Sequence, residues 1–340
     1  MAPRARVVIA MRSANPAGIW HWPESATAQL ARTFPEVAFC AYPRPIDVPL
    51  SDAEAAADAE LFRDADAVIA WRLDPRLYRR AQRLRWIHCP SAAVHQLLTP
   101  ELIQSPIVIT NGASVHAATV AEHGLALVLA LARGLPQAFA DQSARRWRPQ
   151  PWLGGLRRLG GATALLLGMG RIGRELAPRL AALEMHVLGV RRHPERPQRG
   201  VAEMHRPEAL DELLPRADWL ILALPATPAT DRIVGAPQLA RLPPHAVVVN
   251  LGRGPALDEA ALASALHAGR LAGAALDVFA HEPLAPDSPL WSAPGCLLTP
   301  HVAAAVPDTW QRQTELVGAH LRRFLAGEPL EPLVDKHRGY

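Results

Sequence analysis

Short apolar runs, each followed by a polar or amphipathic stretch, recur along the whole chain. In the first third they predict strands over 6–11, 67–71, 85–88 and 107–110. A helix with its Asp and Glu residues outward is predicted over 53–63. Strands alternating with helices in this way suggest a small α/β unit built on a parallel sheet. A long apolar helix follows over 115–133, with Pro136 marking its end. The segment 137–161 holds Trp147, Pro149, Pro151, Trp152 and several glycines, and reads as an irregular extended arm. From 162 onward the alternation restarts, with strands over 164–167, 186–190, 219–222, 246–250, 274–277 and 297–298. Helices are expected between them over 171–183, 207–214, 236–241 and 259–268. Six strands with intervening helices make a doubly wound parallel sheet. A last helix over 308–325 has to pack outside that second unit.

Composition narrows the picture without changing it. A chain of 340 residues is too long for one small core, and about two domains are expected. Hydrophobic residues are 49% and charged residues 20%, values of an ordinary globular protein. The net charge is +4, and the arginines fall in scattered pairs such as Arg145–Arg146 and Arg157–Arg158 rather than in a basic stripe. A nucleic-acid partner, which needs concentrated positive charge, is therefore not expected. The three cysteines, Cys40, Cys89 and Cys296, are odd in number and have no CxxC spacing. They read as buried small apolar residues in a reducing compartment, not as a disulfide framework or metal site. The apolar run 7–11 is too short for a signal peptide, and the apolar stretch 124–135 is bounded by Glu122, His123 and Arg133. No membrane partner and a cytoplasmic location are the expectation.

The first chemistry lies in Gly168-Met169-Gly170-Arg171-Ile172-Gly173, a G-x-G-x-x-G run entered from a strand and left by a helix. Gly168 permits the tight turn, Gly170 lets a pyrophosphate approach the backbone, and Gly173 lets the helix pack on the strand. The helix N-terminus adds free N–H groups and partial positive charge. This is a dinucleotide cradle, although Pro178 inside the helix is discordant. The next strand ends in Val190-Arg191-Arg192-His193, where an acidic residue would bind the ribose hydroxyls of NAD. Guanidinium groups at Arg191 and Arg192 instead suit a 2′-phosphate, so NADP(H) is favoured and NAD(H) stays open.

Three later strands run into polar segments: Asn250-Leu251-Gly252-Arg253-Gly254, Asp277-Val278-Phe279-Ala280-His281-Glu282-Pro283 and Thr299-Pro300-His301-Val302-Ala303. Ligands bind at the carboxyl ends of strands in open α/β sheets, so all three segments point to one cleft. Together they resemble the D-isomer-specific 2-hydroxyacid dehydrogenases. So do Val120-Ala121-Glu122-His123 and the loop Leu224-Pro225-Ala226-Thr227-Pro228-Ala229-Thr230. Ser288-Pro289-Leu290-Trp291, Pro300-His301-Val302-Ala303-Ala304 and the C-terminal Val334-Asp335-Lys336-His337-Arg338-Gly339-Tyr340 resemble the glyoxylate/hydroxypyruvate reductase A type within that family.

The resemblance implies roles. Arg253 binds the substrate carboxylate and polarises its ketone. His301 is the general acid, and Glu282 orients its imidazole. Asp277 lies near the nicotinamide carboxamide. Leu224, Pro225, Thr230, Leu251 and Gly252 complete the cofactor site with Met169, Arg171 and Ile172. A glycine-rich substrate turn of the family is replaced here by Ser91-Ala92-Ala93-Val94-His95, which puts substrate identity in doubt. Ala92, Ala93 and Val94 are expected to meet the substrate, with Trp71 and Arg72. Any turn there that needed a positive φ would be strained.

The implied architecture is a Rossmann coenzyme domain over 111–304 and a smaller flavodoxin-like α/β substrate domain over 1–110 and 305–340. The implied activity is reduction of a small 2-keto acid by hydride from NAD(P)H, in a homodimer to which the arm around Trp147 and Trp152 contributes. Two alternatives stand beside it: a non-catalytic dinucleotide sensor on the same scaffold, and a dehydrogenase of another substrate such as formate, phosphite or phosphoglycerate. Metal and nucleophilic-serine chemistry have no motif: no histidine stands at 285 to complete HExxH, and no G-x-S-x-G is present.

Overall fold

A computed structural model describes residues 5–14, 21–149 and 155–339. The expectation for Trp152 and the final Tyr340 lies outside those residues. The chain forms two compact units, one of Met1–His116 with Ala305–Tyr340 and one of Ala117–Ala304.

The first unit contains β1 (Ala5–Ile9), α1 (Glu24–Thr33), β2 (Val37–Ala41), α2 (Asp52–Arg63), β3 (Ala67–Ile69), α3 (Pro75–Tyr78), β4 (Trp86–Cys89), α4 (Pro100–Gln104) and β5 (Val108–Asn111). Its five strands are all parallel in the order β2-β1-β3-β4-β5. That order is the flavodoxin-like winding, with the switch point between β1 and β3. Helix α2 starts where Ser51 and Glu54 reciprocally cap one another, as Ser-x-x-Glu predicts. Helix α5 (Ala113–Ala132) begins in this unit and runs into the next.

The second unit continues with α6 (Leu135–Ser143), β6 (Thr163–Leu167), α7 (Arg171–Ala181), β7 (His186–Val190), β8 (Glu203–His205), α8 (Leu210–Leu213), β9 (Trp219–Leu222), α9 (Ala236–Leu239), β10 (Val247–Asn250), α10 (Glu259–His267), β11 (Gly273–Leu276) and β12 (Cys296–Leu298). The chain then returns to the first unit with α11 (Thr309–Ala326). Seven parallel strands lie in the order β12-β11-β10-β9-β6-β7-β8, a doubly wound sheet. Strands such as β9, Trp-Leu-Ile-Leu, are buried at every position, because helices cover both faces of a parallel sheet.

Several sequence expectations are corrected. The segment from 137 is not irregular throughout: α6 occupies Leu135–Ser143. Pro136 stands in its first turn, where its fixed φ and missing N–H are tolerated, so it opens a helix as well as following one. The sheet has a seventh strand, β8, and the helix expected over 207–214 is a short α8 between two 3₁₀ turns. Among the cysteines only Cys89 is buried; Cys40 and Cys296 are partly exposed. Pro178 does sit inside α7. The helix survives it because Leu176, Ala177 and Leu180 are buried in the core around the sheet, which outweighs a penalty of about 3 kcal/mol. Gly200, at φ +76, lies against Pro178, where a Cβ would come within 2.5 Å of its Cα.

Helix α5 is long and apolar enough to cross a membrane by length and composition. Here it is a core helix: Val120, Ala121, Leu127, Val128 and Ala132 are buried with β6 and β10 residues. Helix α11 packs Val317, Leu321 and Phe324 into the first unit's core with Val7, Ile9, Leu30 and Phe34.

That core also encloses polar groups. Trp86 Nε1–H donates to Thr110 Oγ1 at 2.9 Å, and Thr110 Oγ1 lies 2.8 Å from His88 Nδ1. His320 lies beside it, with ring centroids 5.5 Å apart. Burial and then the neighbouring His320 push the His88 imidazole down to about 3. Lys336, the chain's single lysine, donates to the carbonyls of Leu102, Ser105 and Ile107 at 2.9, 2.5 and 3.1 Å. Burial lowers its ammonium pKa.

Candidate active site

Within the second unit the carboxyl ends of β6, β9, β10, β11 and β12 carry the residues singled out from sequence. Parallel pairing in register places Asn250 beside Leu222 and Leu276, so the loops leaving these strands are neighbours. The turn after β6 brings Gly168 to φ +103, where a Cβ would lie 2.5 Å from the Ala223 carbonyl. At Gly173 a Cβ would lie 2.2 Å from the Gly168 carbonyl, so the helix could not close on the turn. Gly170, the N-cap of α7, differs: a Cβ there meets nothing within 4 Å. No packing within the chain demands that glycine, and the open backbone at the start of an 11-residue helix fits the pyrophosphate of a dinucleotide. Arg171 is the first residue of α7; burial and the neighbouring Arg174 lower its pKa.

Strand β7 ends at Val190, and the Arg191 N–H donates to the His205 carbonyl at 3.0 Å, extending the edge toward β8. Arg191 is half-buried and Arg192 exposed. The loop after β9 is tied by Thr230, whose hydroxyl donates to the Pro225 carbonyl at 2.6 Å and accepts the Thr227 N–H at 3.0 Å. That loop, with Asp231, Pro255 and Ala256, borders a cavity of about 450 Å³. Gly252 packs against Leu224, where a Cβ would lie 2.6 Å from both its N and O.

Arg253 leaves the end of β10 on a turn shaped by Asn250. Asn250 Oδ1 accepts the Gly252 N–H at 3.1 Å, and its Nδ2 donates to the Arg253 carbonyl at 3.1 Å. Gly254 is set so close to Phe279 that a Cβ would fall 1.8 Å from its carbonyl carbon, which joins the Arg253 and Glu282 loops. Glu282 Oε1 accepts the Phe279 N–H at 3.0 Å, and its Oε2 lies 2.7 Å from His301 Nδ1. The two side chains are 35% and 39% exposed, so neither is sealed in the core. Burial acts to raise the Glu282 carboxyl, but the hydrogen bonds from His301 and Phe279 and the charges of His301 and Arg253 outweigh it and lower its pKa. A carboxylate thus holds the imidazole, and a guanidinium belongs to the same loop cluster.

Asp277 is 1% exposed and turned inward. Its Oδ1 accepts from the Thr299 hydroxyl at 2.6 Å and the Val302 N–H at 3.0 Å, and its Oδ2 accepts the Ala303 N–H at 3.1 Å. Its carboxylate is therefore committed to the loop that carries His301, a role the sequence did not suggest. Asn250, Gly254 and Thr299 were also missed as organisers; each is a polar or small residue at a strand end, which is the only local signal they give.

The residues expected from sequence to meet the substrate lie in the first unit. Trp71 is half-buried and Arg72 exposed just past β3. After β4, Ser91 Oγ accepts the Ala93 N–H at 3.1 Å, Asn111 Nδ2 donates to the Ala92 carbonyl at 3.0 Å, and Val94 is fully buried. No residue of Ser91–His95 has a positive φ, so alanines replace the family's glycines without backbone strain. Among the described residues no cluster of His, Cys, Asp and Glu is arranged to hold a metal ion.

Comparison with known proteins places this geometry. Residues 125–303 match the family model described as D-isomer specific 2-hydroxyacid dehydrogenase, NAD binding domain. The chain is similar to a glyoxylate reductase of Korarchaeum cryptofilum, 33% identical over 82% of this chain and 85% of that one. It is also 32% identical to a D-3-phosphoglycerate dehydrogenase of Methanocaldococcus jannaschii, over 81% of this chain but only 53% of that protein, so it spans about half of that relative's length. Among solved structures, an NADPH-dependent glyoxylate/hydroxypyruvate reductase of Sinorhizobium meliloti in complex with NADP and sulfate superposes with a TM-score of 0.80 at 29% identity, covering 99% of this chain and 100% of that one. The chain belongs to the D-isomer specific 2-hydroxyacid dehydrogenases, a family of NAD(P)-dependent oxidoreductases on Rossmann-type α/β folds.

Proposed function

We propose that this protein reduces a small 2-keto acid of the glyoxylate or hydroxypyruvate kind to its 2-hydroxy acid, with NADPH as the favoured reductant. The observation that carries this reading is the Glu282–His301 pair, 2.7 Å apart, with the Glu282 loop locked to that of Arg253. Arg253 binds the carboxylate and faces the carbonyl oxygen as it gains charge, which a fixed guanidinium stabilises most where charge develops. His301, held through Nδ1, gives the Nε2 proton to the developing alkoxide, and takes it back in the reverse direction. Glu282 holds Nδ1 and so orients the imidazole. The bound dinucleotide supplies the hydride, and residues 168–173, 224–230, Leu251 and Gly252 would hold it.

Arg191 and Arg192 favour a 2′-phosphate, in keeping with the NADP named for the Sinorhizobium meliloti relative. A proton donor for an alkoxide argues against formate, which yields none. Trp71, Arg72, Ala92 and Ala93 are proposed to line the substrate side, the first unit being the substrate domain and the second the coenzyme domain; Val94, expected there from sequence, is instead fully buried in the first unit's core. Exposed Phe139 and Trp147 favour a homodimer through this part of the chain, and an odd number of cysteines without CxxC spacing fits a cytoplasmic enzyme.

The test is steady-state oxidation of NADPH and NADH, in parallel, against glyoxylate, hydroxypyruvate and 3-phosphohydroxypyruvate. Turnover of the first two with a lower KM for NADPH supports the proposal. A preference for NADH removes the cofactor argument alone. Binding of either dinucleotide without turnover of any keto acid moves the reading to a dinucleotide sensor.

A further inference from the structure

Behind His301 lies a second histidine that the reaction scheme does not use. His123 on α5 places Nε2 3.0 Å from Thr299 Oγ1 and 3.5 Å from Asp277 Oδ1. The proton positions follow from donor and acceptor chemistry. Asp277 only accepts, so the single hydroxyl hydrogen of Thr299 is spent on Asp277 Oδ1 at 2.6 Å. Thr299 Oγ1 can then only accept from His123, which must carry its hydrogen on Nε2. The chain of bonds runs from His123 N–H to Thr299 O–H to the Asp277 carboxylate. That carboxylate receives the amides of Val302 and Ala303, the two residues that follow His301.

His301 itself stands at φ +52, a region that non-glycine residues seldom adopt and that persists only when the surroundings hold it. Its own N–H is fixed to the Asp277 carbonyl at 2.9 Å, so Asp277 grips the strained residue from both sides. Helix α5 comes close enough for His123 to join because the next residue is Gly124, where a Cβ would lie 2.3 Å from Leu251 Cδ1.

We infer that His123, acting through Thr299 and Asp277, is a positioning residue that keeps His301 in its left-handed conformation against Glu282. The inference rests on the reading of His301 as the proton donor. It predicts that loss of the His123 donor disturbs proton delivery while leaving carboxylate and cofactor binding in place.

The variants are His123→Leu, which removes the donor; His123→Gln, which keeps an N–H at similar reach; and Thr299→Val, which replaces the hydroxyl by a methyl. Thr299→Val carries the same prediction as His123→Leu and stands in for it should that variant not fold. Misplacing His301 by less than an ångström should lower kcat about tenfold or more, with KM for the keto acid and Kd for NADPH within about twofold of wild type. His123→Gln should recover most of the loss. Amide exchange over 300–304 should quicken in the two disabling variants. Placed on a His301→Ala background, neither should lower the rate further, because each acts only through that imidazole.

Wild-type kcat and exchange in both disabling variants would overturn the inference. So would a loss confined to KM or cofactor Kd, or an equal further loss on the His301→Ala background. Should the wild-type protein turn over no keto acid, the reductase reading fails; the positioning then stands or falls on the amide exchange alone.

Discussion

Each unit contains a histidine held by one strong hydrogen bond at the Nδ1 side, and the two are built for opposite ends. His301 meets a carboxylate at 2.7 Å and is 39% exposed. His88 meets a threonine hydroxyl at 2.8 Å and is fully buried. Around the first, hydrogen bonds and nearby positive charge hold the Glu282 carboxyl below its ordinary pKa. Around the second, burial and His320 disfavour the positive form down to about pH 3. The imidazole is the same; exposure and the charge of the partner distinguish the two settings, and burial makes His88 a neutral hydrogen-bonding strut.

This contrast can be broken at four places, from the largest expected effect to the smallest. Replacing Arg253 by Ala removes the charge that meets the developing oxyanion and should lower kcat/KM about a thousandfold, read in steady-state assays with a 2-keto acid. His88 sets the next effect. A group whose folded pKa lies below its unfolded value of 6.5 contributes full stability above that value and loses it as pH falls toward the folded value. Unfolding in denaturant should therefore show a loss of about 3 kcal/mol between pH 7 and pH 4.5 attributable to His88. His88→Asn should be less stable at pH 7 and flatter across that interval; an unchanged slope would contradict the buried neutral assignment.

The third is Glu282→Gln, which keeps a hydrogen-bond acceptor and removes the negative charge. Reduction should slow about ten- to a hundredfold, because the imidazole has lost the carboxylate that orients it. An undiminished rate would separate Glu282 from the proton transfer. The smallest effect belongs to Lys336→Met, which leaves three carbonyls without their shared cation. Thermal unfolding should report a loss of about 1–2 kcal/mol, with Lys336→Arg recovering only part, since a planar guanidinium cannot follow three converging acceptors.

How far the sequence spoke depended on whether the signal was local. The coenzyme strands were legible because parallel strands under helices are continuous apolar runs, as in Val247-Val248-Val249. The glycine loop was legible because a strand enters it and a helix leaves it. Helix α6 was hidden by Pro136, which marks a helix end and a helix first turn equally well. Strand β8 was hidden because an edge strand of three half-buried residues, Glu203-Met204-His205, carries no apolar run. In the site, Arg253, Glu282 and His301 stood out by type and order. The support of His301 did not, because His123 and Thr299 are 176 residues apart and meet only through the fold. The turn Ser91–His95 looked strained only on the assumption of positive φ, which the backbone does not adopt.

The central claim, that His301 delivers the proton in a 2-keto acid reduction, is tested most directly by comparing wild type and His301→Ala in NADPH oxidation with glyoxylate, alongside NADPH affinity measured by fluorescence. The account predicts that kcat falls about a thousandfold while the affinity for NADPH stays within about twofold. Undiminished turnover in His301→Ala would contradict it.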